Sequence, residues 1–223
     1  KLNMSRGFRA PNASELAANG KHEGTLRYEY GNSNLKAETS LQIDLGMNFS
    51  SEHINIDLSL FRNSIQNYIY LQRISSAFGG DSIVDADDPI PTYQYKQGNA
   101  VLTGGELLID IHPHPLDWLH FENSFSYVEG ANRGKSDSSK YLPFIPPAHY
   151  QSELRANLGK HWKRFKNTYV KAQLDYYFAQ KKVLLENNTE TFSQSYYLLN
   201  AGAGTEVMSK KGNCMIPAGN TIS

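Results

Sequence analysis

Ser40-Leu41-Gln42-Ile43-Asp44-Leu45-Gly46-Met47-Asn48-Phe49 alternates, residue by residue, between an apolar side chain and a polar one or glycine. Successive side chains of an extended strand point to opposite faces. Leu41, Ile43, Leu45, Met47 and Phe49 therefore share one face, and Ser40, Gln42, Asp44, Gly46 and Asn48 the other. The pattern resumes at once: Ile54, Ile56, Leu58 and Leu60 alternate with His53, Asn55, Asp57 and Ser59. It recurs over Leu107–His112, Leu119–Tyr127, Glu153–Leu158 and Val170–Phe178, and more weakly over Tyr197–Val207. No segment carries a long helical period, so the chain reads as all-β, a series of two-faced strands.

Composition bounds the environment. The chain has 223 residues, with 22 Lys+Arg against 22 Asp+Glu. The resulting zero net charge argues against nucleic acid as a partner, because phosphate affinity needs a basic excess. No run approaches the ~18 consecutive apolar residues of a membrane helix. Average composition thus reads as water-soluble, with one exception: a membrane β-barrel is polar on one face of every strand, so its average is low too. The single cysteine, Cys214, permits neither an internal disulfide nor a cysteine metal cluster.

The connections decide between soluble and membrane readings. Ser50–Glu52, Pro113–Asp117 and Gly159–Lys166 are short; Gly7–Glu38, Arg73–Thr92, Ala131–Ala148 and Ala179–Ser193 are long. Short and long alternate strictly. In an up-and-down antiparallel meander every second connection lies at the same end, so all short turns gather at one end and all long loops at the other. Outer-membrane barrels have this asymmetry, whereas Greek-key crossings give no reason to sort loops by parity. Aromatic residues near strand ends (Phe49, Tyr68, Tyr70, Tyr127, Tyr150, Tyr176, Phe178, Tyr197) fit girdles at the two membrane interfaces.

Four segments then suggest a family. Gly7-Phe8-Arg9-Ala10-Pro11-Asn12-Ala13-Ser14-Glu15-Leu16 resembles the GFRAPxxxEL segment of TonB-dependent outer-membrane receptors. Glu29-Tyr30-Gly31-Asn32-Ser33-Asn34-Leu35-Lys36-Ala37-Glu38 resembles the family's ExGNxxLxPE element, with Ala37 where proline is usual. Asn99–Glu106, ending in Gly105-Glu106, is similar to its NxxxxxGxE strand. Leu142-Pro143-Phe144-Ile145-Pro146-Pro147-Ala148-His149 resembles its LPxIPPxR segment, with His149 in place of arginine. In family order these motifs cover about residues 1–208. The resemblance implies an antiparallel up-and-down transmembrane section of about eight strands of a 22-stranded barrel whose plug domain is absent here. Residues 209–223 read as an atypical tail, a truncation or an artificial end.

The function implied by the resemblance is energy-coupled uptake of a scarce ligand, an iron chelate (siderophore), haem or another metal complex, across the outer membrane of a Gram-negative bacterium. The implied partners are outer-membrane lipid, that ligand, and an inner-membrane energy-coupling protein acting through the absent plug. No cofactor and no catalysis are expected, since no Ser/His/Asp or Cys/His constellation can be placed. The alternatives are a complete small structural barrel and a soluble β-sandwich binding module.

Candidate ligand-facing residues are few. Arg6 and Arg9 could line the lumen and meet an anionic ligand, or pair with barrel carboxylates. His22 and Glu23 follow Gly20-Lys21 in a segment similar to one found in metal importers of the family, and Arg27 and Tyr28 close the same loop. Gly7, Phe8, Pro11, Glu15, Gly31, Asn32, Leu35, Glu38, Gly105, Glu106, Pro143, Pro146 and Pro147 read as structural motif residues. His112-Pro113-His114-Pro115 tempts as a metal motif, but it flanks a short turn and its neighbours offer no third ligand, so it reads as a turn shaped by two prolines. Asp81, Asp85, Asp87 and Asp88 read as a solvated acidic loop without regular Ca²⁺-ligand spacing.

Overall fold

The structure is a computed structural model. It describes residues 1–22, 24–74, 82–85, 88–135, 139–158, 161–162, 165–186, 189–209 and 212–222. Its strands are β1 (Leu2–Arg9), β2 (Asn19–His22), β3 (Arg27–Tyr30), β4 (Glu38–Ser50), β5 (Ile54–Ile74), β6 (Ser82–Asp85), β7 (Asp88–Ile111), β8 (Leu119–Arg133), β9 (His149–Asn157), β10 (His161–Trp162), β11 (Phe165–Tyr177), β12 (Tyr196–Ser209) and β13 (Gly212–Ile222). The one helix among the described residues, α1, spans Ala13–Ala17.

These form one sheet with the path β1-β4-β5-β7-β8-β9-β11-β12-β13, and every pairing along that path is antiparallel. Order along the path follows order along the chain, as a meander requires. The short strands β2, β3, β6 and β10 lie off it. The path does not close on itself: β1 and β13 are its two ends.

The expected parity survives with adjusted boundaries. Few residues separate β4 from β5, β7 from β8, β9 from β11 and β12 from β13, and many separate β1 from β4, β5 from β7, β8 from β9 and β11 from β12. Two differences stand out. Arg73–Thr92 is not all loop, because β5 runs on to Ile74 and β7 starts at Asp88. This pair keeps its ladder well past the apolar stretch, after a register shift between Ile65 and Tyr68 where Asn67 takes a positive φ of 56°. The segment preceding Ser40 also holds a full strand, β1, whose alternation (Leu2, Met4, Phe8) is interrupted by Arg6. Gly212–Ile222, in the stretch expected to be an atypical tail, pairs through its backbone with β12.

The two faces of the sheet invert the rule for water-soluble proteins. Leu41, Ile43, Leu45, Met47 and Phe49 are exposed, from 39% to 53%. Their alternates Gln42, Asp44 and Gly46 are half-buried. Those polar side chains bond to one another: Asn3 donates to Asp44 at 3.3 Å, Gln42 to Asp44 at 2.7 Å, and Asn48 to Asp57 at 2.5 Å. A hollow of about 860 Å³ touches Asn48, Asp57, Glu106, Ser124, His149 and Gln151, one polar face contributed by five successive path strands. The sheet therefore curves around its polar face and turns its apolar face outward. Hydrocarbon tolerates exposed Leu and Ile but not unpaired backbone groups, and a continuous ladder leaves few of those.

Aromatic rings mark a level on that outer face. Phe125 pairs with Tyr150, Tyr150 with Tyr176, and Tyr176 with Tyr197, a row across β8, β9, β11 and β12. Phe178 meets Phe125 and Tyr176 edge-on, at 6.0 and 4.8 Å between ring centroids. Beyond this row the long connections pack against the sheet. Leu142 and Leu184 are buried there, and a Cβ on Gly130 would stand 3.0 Å from the Leu142 side chain. Gln180 donates to the carbonyls of Ile145 and Pro146, tying the segment with Pro143, Pro146 and Pro147 to the loop after β11.

Candidate functional site

Two sequence segments meet at the long-loop end. The first leaves β1 at Arg9 and enters α1. A helix of five residues cannot hold itself, since nucleation costs more than one turn returns. Its support is a capping box: the Asn12 side chain accepts the Glu15 N–H, and the Glu15 carboxylate accepts the Asn12 N–H, each at 2.8 Å. Both Glu15 oxygens also accept Arg9 Nη1 at 2.9 Å. Arg9 Nε and Nη2 reach Glu38 at 2.8 and 2.9 Å, and Glu38 accepts the Ile69 N–H at 2.6 Å as well. The Glu15 and Glu38 side chains are only 10% and 13% exposed. Arg9 thus joins two largely buried carboxylates and compensates the charge of both.

The second segment closes onto this pair. The Gly31 N–H donates to the Ala18 carbonyl at 2.6 Å, and the Asn32 N–H to the Glu15 carbonyl at 2.8 Å. A Cβ at position 31 would lie 2.5 Å from the Ala17 nitrogen, so only glycine permits the approach. Asn32 accepts the Asn34 N–H at 3.0 Å and donates to the Tyr95 carbonyl at 3.3 Å. Gln97 bonds both backbone groups of Lys36, at 2.8 and 2.6 Å.

Over this clasp stands the β2–β3 hairpin. It pairs His22 with Arg27, and its β3 runs parallel to the outer extension of β7, with Tyr28 opposite Thr92. An open recess of about 470 Å³ results, bordered by Asn12, Asn19, His22, Arg27, Glu29 and Tyr95. Arg27 donates to Glu29 at 2.6 Å and lies over the Tyr93 ring at 5.6 Å. The other oxygen of buried Glu29 accepts the Tyr95 hydroxyl at 2.9 Å. Burial, and then that carboxylate, push Tyr95 up to about 12. His22 Nδ1 faces the Thr25 hydroxyl at 3.1 Å. The rim presents amides, an imidazole and a partly offset guanidinium, which suits a polar ligand held by hydrogen bonds.

The sequence candidates divide accordingly. His22 and Arg27 border the recess. Tyr28 does not; its hydroxyl donates to Asn19 at 3.0 Å and its ring rests against Tyr30. Glu23, Asp81 and Asp87 lie outside the described residues. Arg9 belongs to the clasp. Arg6 cannot line the lumen: it pairs with Leu41 on the apolar face, three residues from Arg9 and therefore on the opposite side of the strand. Glu106 lies on the polar face and borders the large hollow. Gly105 faces outward, where a Cβ would stand 2.5 Å from the Leu60 side chain. Asn12, Asn19 and Tyr95 also border the recess, and no sequence pattern marks them, because only tertiary folding brings the start of α1, β2 and β7 together.

The model of the TonB-dependent receptor-like β-barrel family matches residues 1–210. The chain belongs to that family. TonB-dependent receptors are transporters, not enzymes. Among solved structures, the copper transporter OprC superposes with a TM-score of 0.69 at 17% identity, covering 93% of this chain and 29% of that one. A mutant of the ferric enterobactin receptor PfeA from Pseudomonas aeruginosa gives 0.63 at 22% identity, covering 98% and 31%. The siderophore receptor PirA from Acinetobacter baumannii gives 0.58 at 18% identity, covering 92% and 32%. At these identities the likeness is one of fold. This receptor-barrel chain spans about a third of the length of each of those chains.

Proposed function

We propose that this chain is the barrel section of an outer-membrane receptor that takes up a metal complex, an iron chelate, haem or a related species, by energy coupling to the inner membrane. The observation that carries the reading is the inverted sheet, apolar outside and polar inside, with long connections gathered at one end. That architecture fits residence in outer-membrane lipid and ligand capture on the long-loop side. Coupling would run through a plug domain and an inner-membrane partner, neither of which these residues include. The fold neighbours include a copper transporter and siderophore receptors, which supports metal-complex cargo as a class.

Within this reading the recess under the β2–β3 hairpin is part of the ligand-facing surface, with His22 and Arg27 as contacts. The test is radioiron uptake by cells lacking the native gene and supplied with the full-length one, offered ferric catecholates, ferric hydroxamates and haem in turn. At least one should be taken up only when the gene is present. Replacing both His22 and Arg27 by alanine should lower uptake of that ligand about ten-fold, as loss of one or two charged hydrogen bonds does. Uptake of none of the metal complexes, copper chelates included, would remove the proposal; unchanged uptake by the double variant would remove this recess from it.

A further inference from the structure

The opposite end of the polar face carries a different cluster. Asp110 lies near the end of β7 and His112 one residue past it, where its N–H still donates to the His53 carbonyl at 2.8 Å; as alternate residues both point to the polar side. Ile111 pairs with Phe121, which brings His120 of β8 beside His112 across the short turn. His112 Nε2 stands 2.8 Å from Asp110 Oδ2, and His120 Nδ1 stands 3.9 Å from the same oxygen. The two imidazoles meet edge to face, with centroids 4.6 Å apart. One ligand atom from each residue lies within 4.8 Å of the others. The second Asp110 oxygen, Oδ1, is buried without a hydrogen-bond partner among the described residues. The cluster opens on a polar recess of about 300 Å³ shared with Glu122, Glu153 and Arg155.

We propose that Asp110, His112 and His120 form a binding site for a divalent transition-metal ion of the Zn²⁺ or Cu²⁺ type on the lumen wall. Two imidazoles and one carboxylate are the donor set such ions prefer, whereas Ca²⁺ and Mg²⁺ favour all-oxygen sites. Metal–nitrogen and metal–oxygen bonds of ~2.0–2.2 Å require donors about 3–3.5 Å apart. The His112–Asp110 edge, at 2.8 Å, and the His120–Asp110 edge, at 3.9 Å, bracket that separation, so small side-chain rotations reach it. An ion between the imidazoles would bind Asp110 through Oδ2, displacing the His112 contact, while the unpartnered Oδ1 leaves the carboxylate capacity for a second bond, and the recess leaves room for a water or a cargo donor at the remaining position. The His-Pro-His-Pro motif contributes one ligand only. His114 points elsewhere, 68% exposed and 3.5 Å from Asp117. The ligands that the motif's neighbours do not supply come from two places: Asp110, two residues upstream on the same face, and His120, across the turn.

The site does not depend on what the receptor imports. The test uses the full-length receptor in detergent micelles, titrated calorimetrically with Zn²⁺ and spectroscopically with Co²⁺. Wild type should bind one more equivalent than His112→Ala/His120→Ala and than Asp110→Asn, or bind it at least ten-fold more tightly. The difference spectrum with Co²⁺ should show the d–d bands of a nitrogen–oxygen site, and His114→Ala should match wild type. Asp110→Asn, nearly isosteric, carries the comparison if the double variant fails to show the heat-modifiable migration of a folded barrel. Equal stoichiometry and affinity in wild type and Asp110→Asn would overturn the proposal, as would loss of the extra equivalent in His114→Ala. Failure of the uptake experiment with metal binding intact bears on the cargo reading alone.

Discussion

Arg9-Glu15-Glu38 at one end of the polar face and Asp110-His112-His120 at the other are built from similar groups and differ in how fully those groups are used. In the first, the two carboxylates share one guanidinium, and each also accepts a backbone N–H. All four carboxylate oxygens have partners within the clasp. In the second, two imidazoles share a single carboxylate oxygen, and the other oxygen has no partner among the described residues. A saturated polar cluster fixes structure, because breaking any member leaves another charge buried and alone. An unsaturated one has acceptor capacity in reserve, and reserve is what binding requires.

The comparison can be broken in three places, by measuring guanidinium unfolding of the full-length receptor in micelles. Arg9→Ala should have the largest effect. It strands two largely buried carboxylates, at a cost of about 3 kcal/mol. A loss below about 1 kcal/mol would mean that the first cluster is not structural. Gly31→Val comes next. Its side chain would enter the backbone of α1, and overpacking of this kind costs about 2 kcal/mol. An unchanged midpoint would show that the two motif segments do not pack as described. His120→Ala should have the smallest effect in metal-free protein, about 0.5 kcal/mol or less, since among the described residues its ring makes an edge contact with His112 and a long approach to Asp110. A large loss there without metal would place the second cluster in the same structural class as the first and erase the contrast.

A weaker pair lies between these extremes. Lys182, from the loop after β11, bonds Glu129 and the Tyr127 hydroxyl above the aromatic row. Glu129 raises the Lys182 ammonium above its ordinary range, with Tyr127 adding to it. Because the folded pKa is raised, this contribution is present through neutral pH and is lost only in strong alkali. Both side chains are a third or more exposed, which keeps such a contact small.

Much of the fold was legible because the membrane imposes a simple code. Alternation located seven of the path strands, and loop parity placed their ends. β1 carries a weaker signal, because Arg6 breaks an otherwise apolar alternation over a strand of only eight residues. The outer extensions of β5 and β7 carry no sustained alternation. Beyond the lipid no solvent rule forces alternation, and the ladder there is held by pairing and by the parallel strand β3. Of the candidate ligand residues, His22 and Arg27 reached one recess because they face each other across a hairpin. Arg6 and Arg9 were separated by strand geometry, which three-residue spacing already implies. His112 was weighed with His114, its neighbour in sequence, when its partners in space are Asp110 and His120.

The sequence alone determined that this is a chain of two-faced strands, apolar on one side, with long and short connections sorted by parity. These follow from the period of an extended backbone and from the length of each segment, both of which are local. Tertiary structure decided which polar groups are already satisfied. Register joins Arg9 to Glu38 and carries His120 to His112, and register is fixed by pairings between residues far apart in the chain. Whether a charged residue holds the barrel together or waits for a ligand depends on those partners, and no local pattern encodes them.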